Sequence, residues 1–276
     1  MNTEKARQLQ KLAQSFRMQT LEVLHEIQTG HPGGSLSAAE ILTVLYFDKM
    51  HIDPARPDMP DRDRLILSKG HAAPMLYTVL ANRGYFPAEE LHSLRQAGSC
   101  LQGHPCLGKT PGVDLSSGPL GLGLGAGLGM ALAARMDHTG VTVYVVLGDG
   151  ELQEGAVWES AMAAAKYRPG NLIAVVDNNG VQLDGTNDEI MPLGDLTAKF
   201  SAFGWRVIPC DGHDAASLSD ALDAAGSTGG APALVLAKTV KGKGVRFMEG
   251  KSMWHGRPIG DTEYAAAMAE LGGTGV

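Results

Sequence analysis

The residues best suited to chemistry sit at the ends of two apolar runs. Val141-Thr-Val-Tyr-Val-Val-Leu-Gly-Asp-Gly150 and Asn171-Leu-Ile-Ala-Val-Val-Asp-Asn-Asn179 are each β-branched and apolar until they stop in polar and glycine residues. That pattern reads as two buried parallel strands ending at loops. The alanine-rich stretch from Gly155 to Tyr167 between them reads as the crossover helix of a βαβ unit. Its carboxyl edge, where ligands bind in open α/β sheets, carries Asp149 and Asn179. Oxygen donors without sulfur or imidazole suit a hard cation, and Mg²⁺ takes few protein ligands, filling its octahedron with phosphate oxygens and water. Asp149 would give a carboxylate, Asn179 an amide oxygen and Val181 a main-chain carbonyl. Gly148 and Gly150 would let a phosphate approach the backbone. A lone Gly-Asp-Gly is ordinarily a turn after a strand. The separation of 30 residues between Asp149 and Asn179, one crossover, makes the pair a candidate site.

Other chemistry-bearing residues also fall at predicted element ends. A helix over 3–29, with Leu9, Leu12, Ala13, Phe16, Leu24 and Ile27 on one face, stops at Gly30. His31-Pro-Gly-Gly34-Ser35 then reads as a rigid turn and an N-cap for a helix over 37–49. His71 stands in Ser68-Lys-Gly-His71, beyond a short strand at 65–67, and a helix over 74–83 follows. Cys100, His104 and Cys106 could suggest zinc, but a closed structural site needs four ligands and Cys210 is distant. The glycine-rich run from Gly118 to Gly129 lacks a dinucleotide fingerprint and no strand immediately precedes it. It reads as a loop entering a helix whose small residues let a neighbour pack closely. Helices over 196–203 and 217–225 and strands over 204–209 and 233–238 complete the alternation. Lys241-Gly-Lys-Gly244 follows the last strand; it is not a P-loop, and Lys241 could screen a diphosphate or be a solvated surface lysine. Trp254-His255-Gly256 and a short helix over 261–271 come last.

The 276 residues are 44% hydrophobic and 19% charged, enough for one large α/β domain with a full core. The net charge of −7, without a basic block, argues against nucleic acid as a partner. No apolar run is long enough to span a membrane. The first residues lack the apolar stretch of a signal peptide. Three cysteines suit a reducing compartment, so a cytoplasmic protein is expected.

Gly148-Asp149-Gly150 followed by Asn178-Asn179 resembles the thiamine diphosphate motif, and Gly148-Asp-Gly-Glu-Leu-Gln-Glu-Gly155 resembles transketolase. The resemblance covers nearly the whole chain, from His31 to His255. It implies a thiamine-diphosphate-binding α/β fold, a parallel sheet flanked by helices that forms the diphosphate-binding domain. Residues 1–276 would be that single domain, with a short C-terminal extension from about 259. It implies Mg²⁺ or Ca²⁺ held by Asp149, Asn179 and Val181, and thiamine diphosphate bound by His71, Gly118, Leu120, Gly148, Asp149, Gly150, Glu154, Asn179, Lys241 and His255. The histidines His31, His71, His104 and His255 would face substrate hydroxyls and the reaction centre, which leaves Cys100 and Cys106 incidental. Glu154 matches a family glutamate at the contact between active sites; an acidic residue in a helix's first turn is the simpler alternative.

Full-length transketolases continue past the Trp-His-Gly region into a domain that holds the aminopyrimidine and carries the glutamate for its ring nitrogen. This chain stops at Val276. The expectation is therefore the N-terminal subunit of a split transketolase, inactive alone. A C-terminal, pyrimidine-binding subunit would complete it, in an α2β2 heterotetramer. The enzyme would move a two-carbon ketol unit from a ketose or ketose phosphate to an aldose or aldose phosphate. Pentose phosphates are the default substrates, with apulose phosphate or sulfonated sugars as alternatives. The competing readings are a deoxyxylulose-phosphate synthase fragment, the α chain of a 2-oxo-acid dehydrogenase and a non-catalytic binding subunit.

Overall fold

The computed structural model describes residues 1–227 and 229–273. Among these, five strands form one sheet: β1 (Arg64–Leu67), β2 (Val143–Gly148), β3 (Leu172–Asn178), β4 (Arg206–Asp211) and β5 (Ala233–Lys238). Every neighbouring pair is parallel, in the order β1-β2-β3-β5-β4. All carboxyl ends therefore open on one edge.

Among the described residues ten α-helices accompany the sheet. In chain order they are α1 (Thr3–Ile27), α2 (Pro32–Ser37), α3 (Ala39–Val44), α4 (Ala73–Arg83), α5 (Gly123–Met136), α6 (Gly155–Tyr167), α7 (Asn187–Ile190), α8 (Leu196–Ala202), α9 (Ala215–Gly226) and α10 (Asp261–Gly273). The period-2 alternation of the strands divides the core. Tyr144, Val146, Ile173 and Val175 pack on the side of α1, α3, α4 and α9. Val143, Val145, Leu147, Leu172 and Ala174 pack on the side of α5, α6 and α8. Strands covered on both faces read as continuous apolar runs, which is why β2 and β3 were legible. A third cluster joins Leu21 and Leu24 of α1 to Trp254, Ile259, Ala267 and Leu271, so the segment after 259 folds back onto α1. Among the described residues no helix is long and apolar enough to cross a membrane.

One expected boundary is corrected. The helix predicted over 37–49 begins earlier, at Pro32, with His31 at the N-cap position. Proline is pre-organised for a first helical turn, so Pro32 starts the helix and does not merely rigidify a turn before it. The path then breaks at Ala38, resumes as α3 and ends in a π-type turn over Leu45–Lys49. The glycine-rich run does enter a helix, α5. A Cβ on Gly123 would overlap Ser68, and one on Gly127 would overlap Val145. These glycines, one turn apart, seat α5 directly on β1 and β2.

Helix α3 is tied to α1 by a buried charge pair. Arg17 donates to both Glu40 oxygens at 2.6 and 2.5 Å and to the Leu36 carbonyl at 3.1 Å. Burial pushes the Glu40 carboxyl up, but Arg17 and then His213 outweigh it and hold the group at about 2, below its ordinary 4.5. Its contribution to stability is complete above about 4.5 and is lost as pH falls through about 2. Glu40→Gln should cost about 3–5 kcal/mol at neutral pH, because Arg17 stays buried and unpaired. The gap from wild type in urea unfolding should narrow between pH 5 and pH 3; a gap independent of pH would disprove the linkage. Gly127→Ala should lower stability by about 1–2 kcal/mol, the overlap with Val145 outweighing alanine's better helix propensity. Thermal unfolding checks it, and an unchanged or raised midpoint would refute the close packing.

Candidate active site

Four loops at the carboxyl edge enclose a cavity of about 290 Å³. The β2 loop brings Gly148, Asp149 and Gly150, and the β3 loop Asn179 and Val181. The β1 loop brings His71, and the β5 loop Lys241. His31, His104, Gly118, Leu120 and His255 close the remaining walls. Every residue that the resemblance assigns to metal, cofactor or substrate thus lines one cavity, except Glu154. Glu154 is exposed at the N-cap position of α6, its Cβ facing Gly121, and makes no side-chain capping bond. α6 starts with that side chain outside the cavity of this chain.

At the end formed by the β2 and β3 loops Asp149 is buried, 2% exposed. Its Oδ1 accepts the Gly150 N–H at 2.8 Å and its Oδ2 the Gly180 N–H. Among the described residues no cation pairs with it, and burial raises its carboxyl to about 6. The Lys69 charge lowers it by less than burial raises it, so a divalent cation beside this under-compensated carboxylate fits. Asn179 Oδ1 accepts the Val181 N–H at 3.0 Å, which folds the loop back on itself. Among the described residues no group of three or more His, Cys, Asp or Glu could hold a metal. That removes the zinc reading of Cys100, His104 and Cys106; both cysteines are free thiols.

The other end is a nest of imidazoles. The His71 and His255 rings stack with centroids 4.9 Å apart, and His31 lies 5.4 Å from His255 and 5.5 Å from His71. His104 is 6.2 Å from His31. All four are pushed below the ordinary imidazole value, chiefly by burial: His31 to about 4, His255 to about 3, His71 and His104 in the same direction. They are neutral near pH 7 and can donate, accept and pass protons to hydroxyl groups. The buried Nδ1 of His31 has no partner among the described residues, so an incoming polar group has an atom waiting for it.

Lys241 links the two ends. Its Nζ donates to the Val181 carbonyl at 3.3 Å, the Gln182 carbonyl at 3.0 Å and His255 Nδ1 at 2.9 Å. Burial, then the Lys69 charge, lowers it to about 8, leaving it cationic near neutrality. His255 Nδ1 is therefore an acceptor, and its proton sits on Nε2.

Sequence reasoning missed the residues that brace these loops. Lys69 and Asp177 form a buried ion pair, 1% and 0% exposed. Lys69 also donates to the Gly34 carbonyl at 2.9 Å, and Asp177 accepts from Ser37 at 2.6 Å and from Thr239. Burial raises the Asp177 carboxyl, but Lys69 and the two hydroxyls outweigh it and hold it low. Glu151, also buried, accepts the Gly121 and Gly148 N–H groups at 2.8 and 3.1 Å and the Ser68 hydroxyl. The available signal was a single aspartate inside the apolar run of β3. Leu120 and Leu183, 38% and 58% exposed, rim the opening.

Comparison with known proteins agrees with this geometry. The family model described as "Transketolase, thiamine diphosphate binding domain" matches residues 8–274. A 6-deoxy-6-sulfo-D-fructose transketolase subunit of Clostridium sp. is 45% identical, over 95% of this chain and 96% of that protein. An apulose-4-phosphate transketolase subunit of Phocaeicola vulgatus is 38% identical, over 95% and 93%. The solved transketolase of Leishmania mexicana superposes with a TM-score of 0.89 at 32% identity, covering 96% of this chain but 41% of that one.

Lys69→Met should destabilise the chain by about 3–5 kcal/mol, because it strands the Asp177 carboxylate in the core. Lys69→Met/Asp177→Asn should recover part of the loss in chemical denaturation. A double mutant as unstable as the sum of both singles would contradict the pairing.

Proposed function

The chain belongs to the family of transketolase thiamine diphosphate binding domains, and from that membership we propose that it is the diphosphate-binding subunit of a heteromeric transketolase. The complex transfers a two-carbon ketol unit from a ketose or ketose phosphate to an aldose or aldose phosphate. The observation that carries this reading is the cavity's two-ended chemistry, with Asp149, Asn179 and Val181 at one end and four neutral histidines at the other. Relatives covered almost from end to end are themselves named as transketolase subunits, which supports a partner chain.

Thiamine diphosphate, when bound, supplies the nucleophilic carbon and the electron sink for the carbon–carbon chemistry. Asp149, Asn179 and the Val181 carbonyl hold Mg²⁺, or Ca²⁺ in its place. Gly118, Leu120, Gly148 and Gly150 admit the diphosphate, and Lys241 offsets its charge. His31, His71 and His104 hold and orient sugar hydroxyls; the His255 Nε2 proton is available to an oxygen in the cavity. Residues 1–276 act as one domain. A C-terminal, pyrimidine-binding subunit covers the cavity in an α2β2 assembly in the cytoplasm. Sulfonated and branched-sugar substrates come first in a survey, since the relatives' names carry them. Pentose phosphates follow.

Ketol transfer should be seen only when this chain, Mg²⁺ and thiamine diphosphate are combined with the co-expressed partner subunit. Activity of this chain alone would overturn the two-chain reading. No activity with the partner across phosphorylated, branched and sulfonated sugars would favour another thiamine reaction or a non-catalytic role. Asp149→Ala should leave circular dichroism unchanged and weaken Mg²⁺-dependent cofactor binding by about 100-fold or more, since losing a ligand exceeds the 10–100-fold effect of altering its surroundings. Tight binding retained in that variant would remove Asp149 from the metal site.

A further inference from the structure

The turn between β4 and α9 does not line the cavity, yet it holds the residue beside Lys241. Asp211 Oδ1 accepts the His213 N–H at 2.8 Å, and Asp214 caps α9 by accepting the Ala216 and Ser217 N–H groups at 2.8 and 3.2 Å. The turn is therefore rigid on both sides of His213, whose side chain is 11% exposed. Its Nε2 accepts the Val240 N–H at 2.8 Å, so Nε2 bears no hydrogen. Its Nδ1 lies 2.9 Å from Glu40 Oε2. Glu40 is ionised against Arg17 and also accepts from Gln10 Nε2 at 3.0 Å, so it can only accept, and the imidazole hydrogen sits on Nδ1. One neutral tautomer satisfies both partners.

The order carboxylate, imidazole, donor is that of a catalytic triad with a main-chain amide in the nucleophile's place. An amide N–H held this way does no chemistry; it fixes the chain. The next residue is Lys241, all three of whose Nζ hydrogens are committed to Val181, Gln182 and His255. We propose that His213 is a positioning residue of the cofactor cavity, setting Lys241 through the Val240 amide with Glu40 and Arg17 behind it. The proposal rests on the reading of that cavity as the thiamine diphosphate site.

Two measurements test it. In long-range ¹H–¹⁵N spectra of the ¹⁵N-histidine-labelled chain, His213 should appear as the neutral Nδ1–H tautomer at neutral pH. An Nε2–H form or an imidazolium would overturn the relay whatever the cavity binds. Thiamine diphosphate with Mg²⁺ is then titrated into the complex of this chain with its partner subunit. His213→Leu should weaken binding about tenfold, the size of one lost hydrogen bond. In a Lys241→Met background the same substitution should cause no further loss, because its route is gone. Equal losses in both backgrounds would mark His213 as merely structural and overturn the proposal. A wild-type complex that binds no thiamine diphosphate would instead sink the site reading, leaving the tautomer result to stand or fall alone.

Discussion

The edge of the sheet depends on one buried carboxylate. Asp177 stands on β3 two residues before Asn179, and its partners are neighbours of the other working residues. Lys69 is two residues before His71, Thr239 two before Lys241, and Ser37 lies in the helix that starts beside His31. A buried ion pair is weak evidence of stabilisation, since desolvation offsets much of the Coulomb gain. Its effect here is geometric. Loops that would otherwise move independently share one acceptor, and Lys69 adds the Gly34 carbonyl to the set. Preorganisation of this kind lets a site bind without ordering its own walls.

The cavity's electrostatics follow from the same burial. Desolvation keeps the histidines neutral, so they line the cavity as hydrogen-bonding groups and not as cations. It also raises the Asp149 carboxyl to about 6, towards its protonated form. Lys241 stands between the two regimes, its ammonium fully hydrogen-bonded to carbonyls and an imidazole. The pocket therefore separates a charged end from an uncharged, protic end within a few side chains.

Much of this was legible in the sequence. The strands β2 and β3 and helix α6 announce themselves through apolar run length and alanine content, and Asp149 and Asn179 through their spacing across one crossover. His31 and His71 were legible by position, next to predicted element ends, and His104 and His255 through the resemblance; the motif Gly148-Asp-Gly-Glu-Leu-Gln-Glu-Gly155 pointed to the family that the comparisons then showed. The bracing network was not legible. Lys69 and Asp177 are 108 residues apart, and no local pattern couples them. The early start of α2 was hidden because His31-Pro-Gly-Gly34 is equally good turn chemistry. Glu154 stands apart from the others, exposed at the start of α6.

The cavity draws its walls from almost the full length of the chain, His31 near one end and His255 near the other. Asp177 cannot gather its partners until both Ser37 and Thr239 exist in one folded body. On a ribosome adding about 5–20 residues per second, the early strands can pair while β5 and the loop beyond it are still unmade. The cavity is therefore complete only once the segment from β5 to His255 has folded onto the earlier strands.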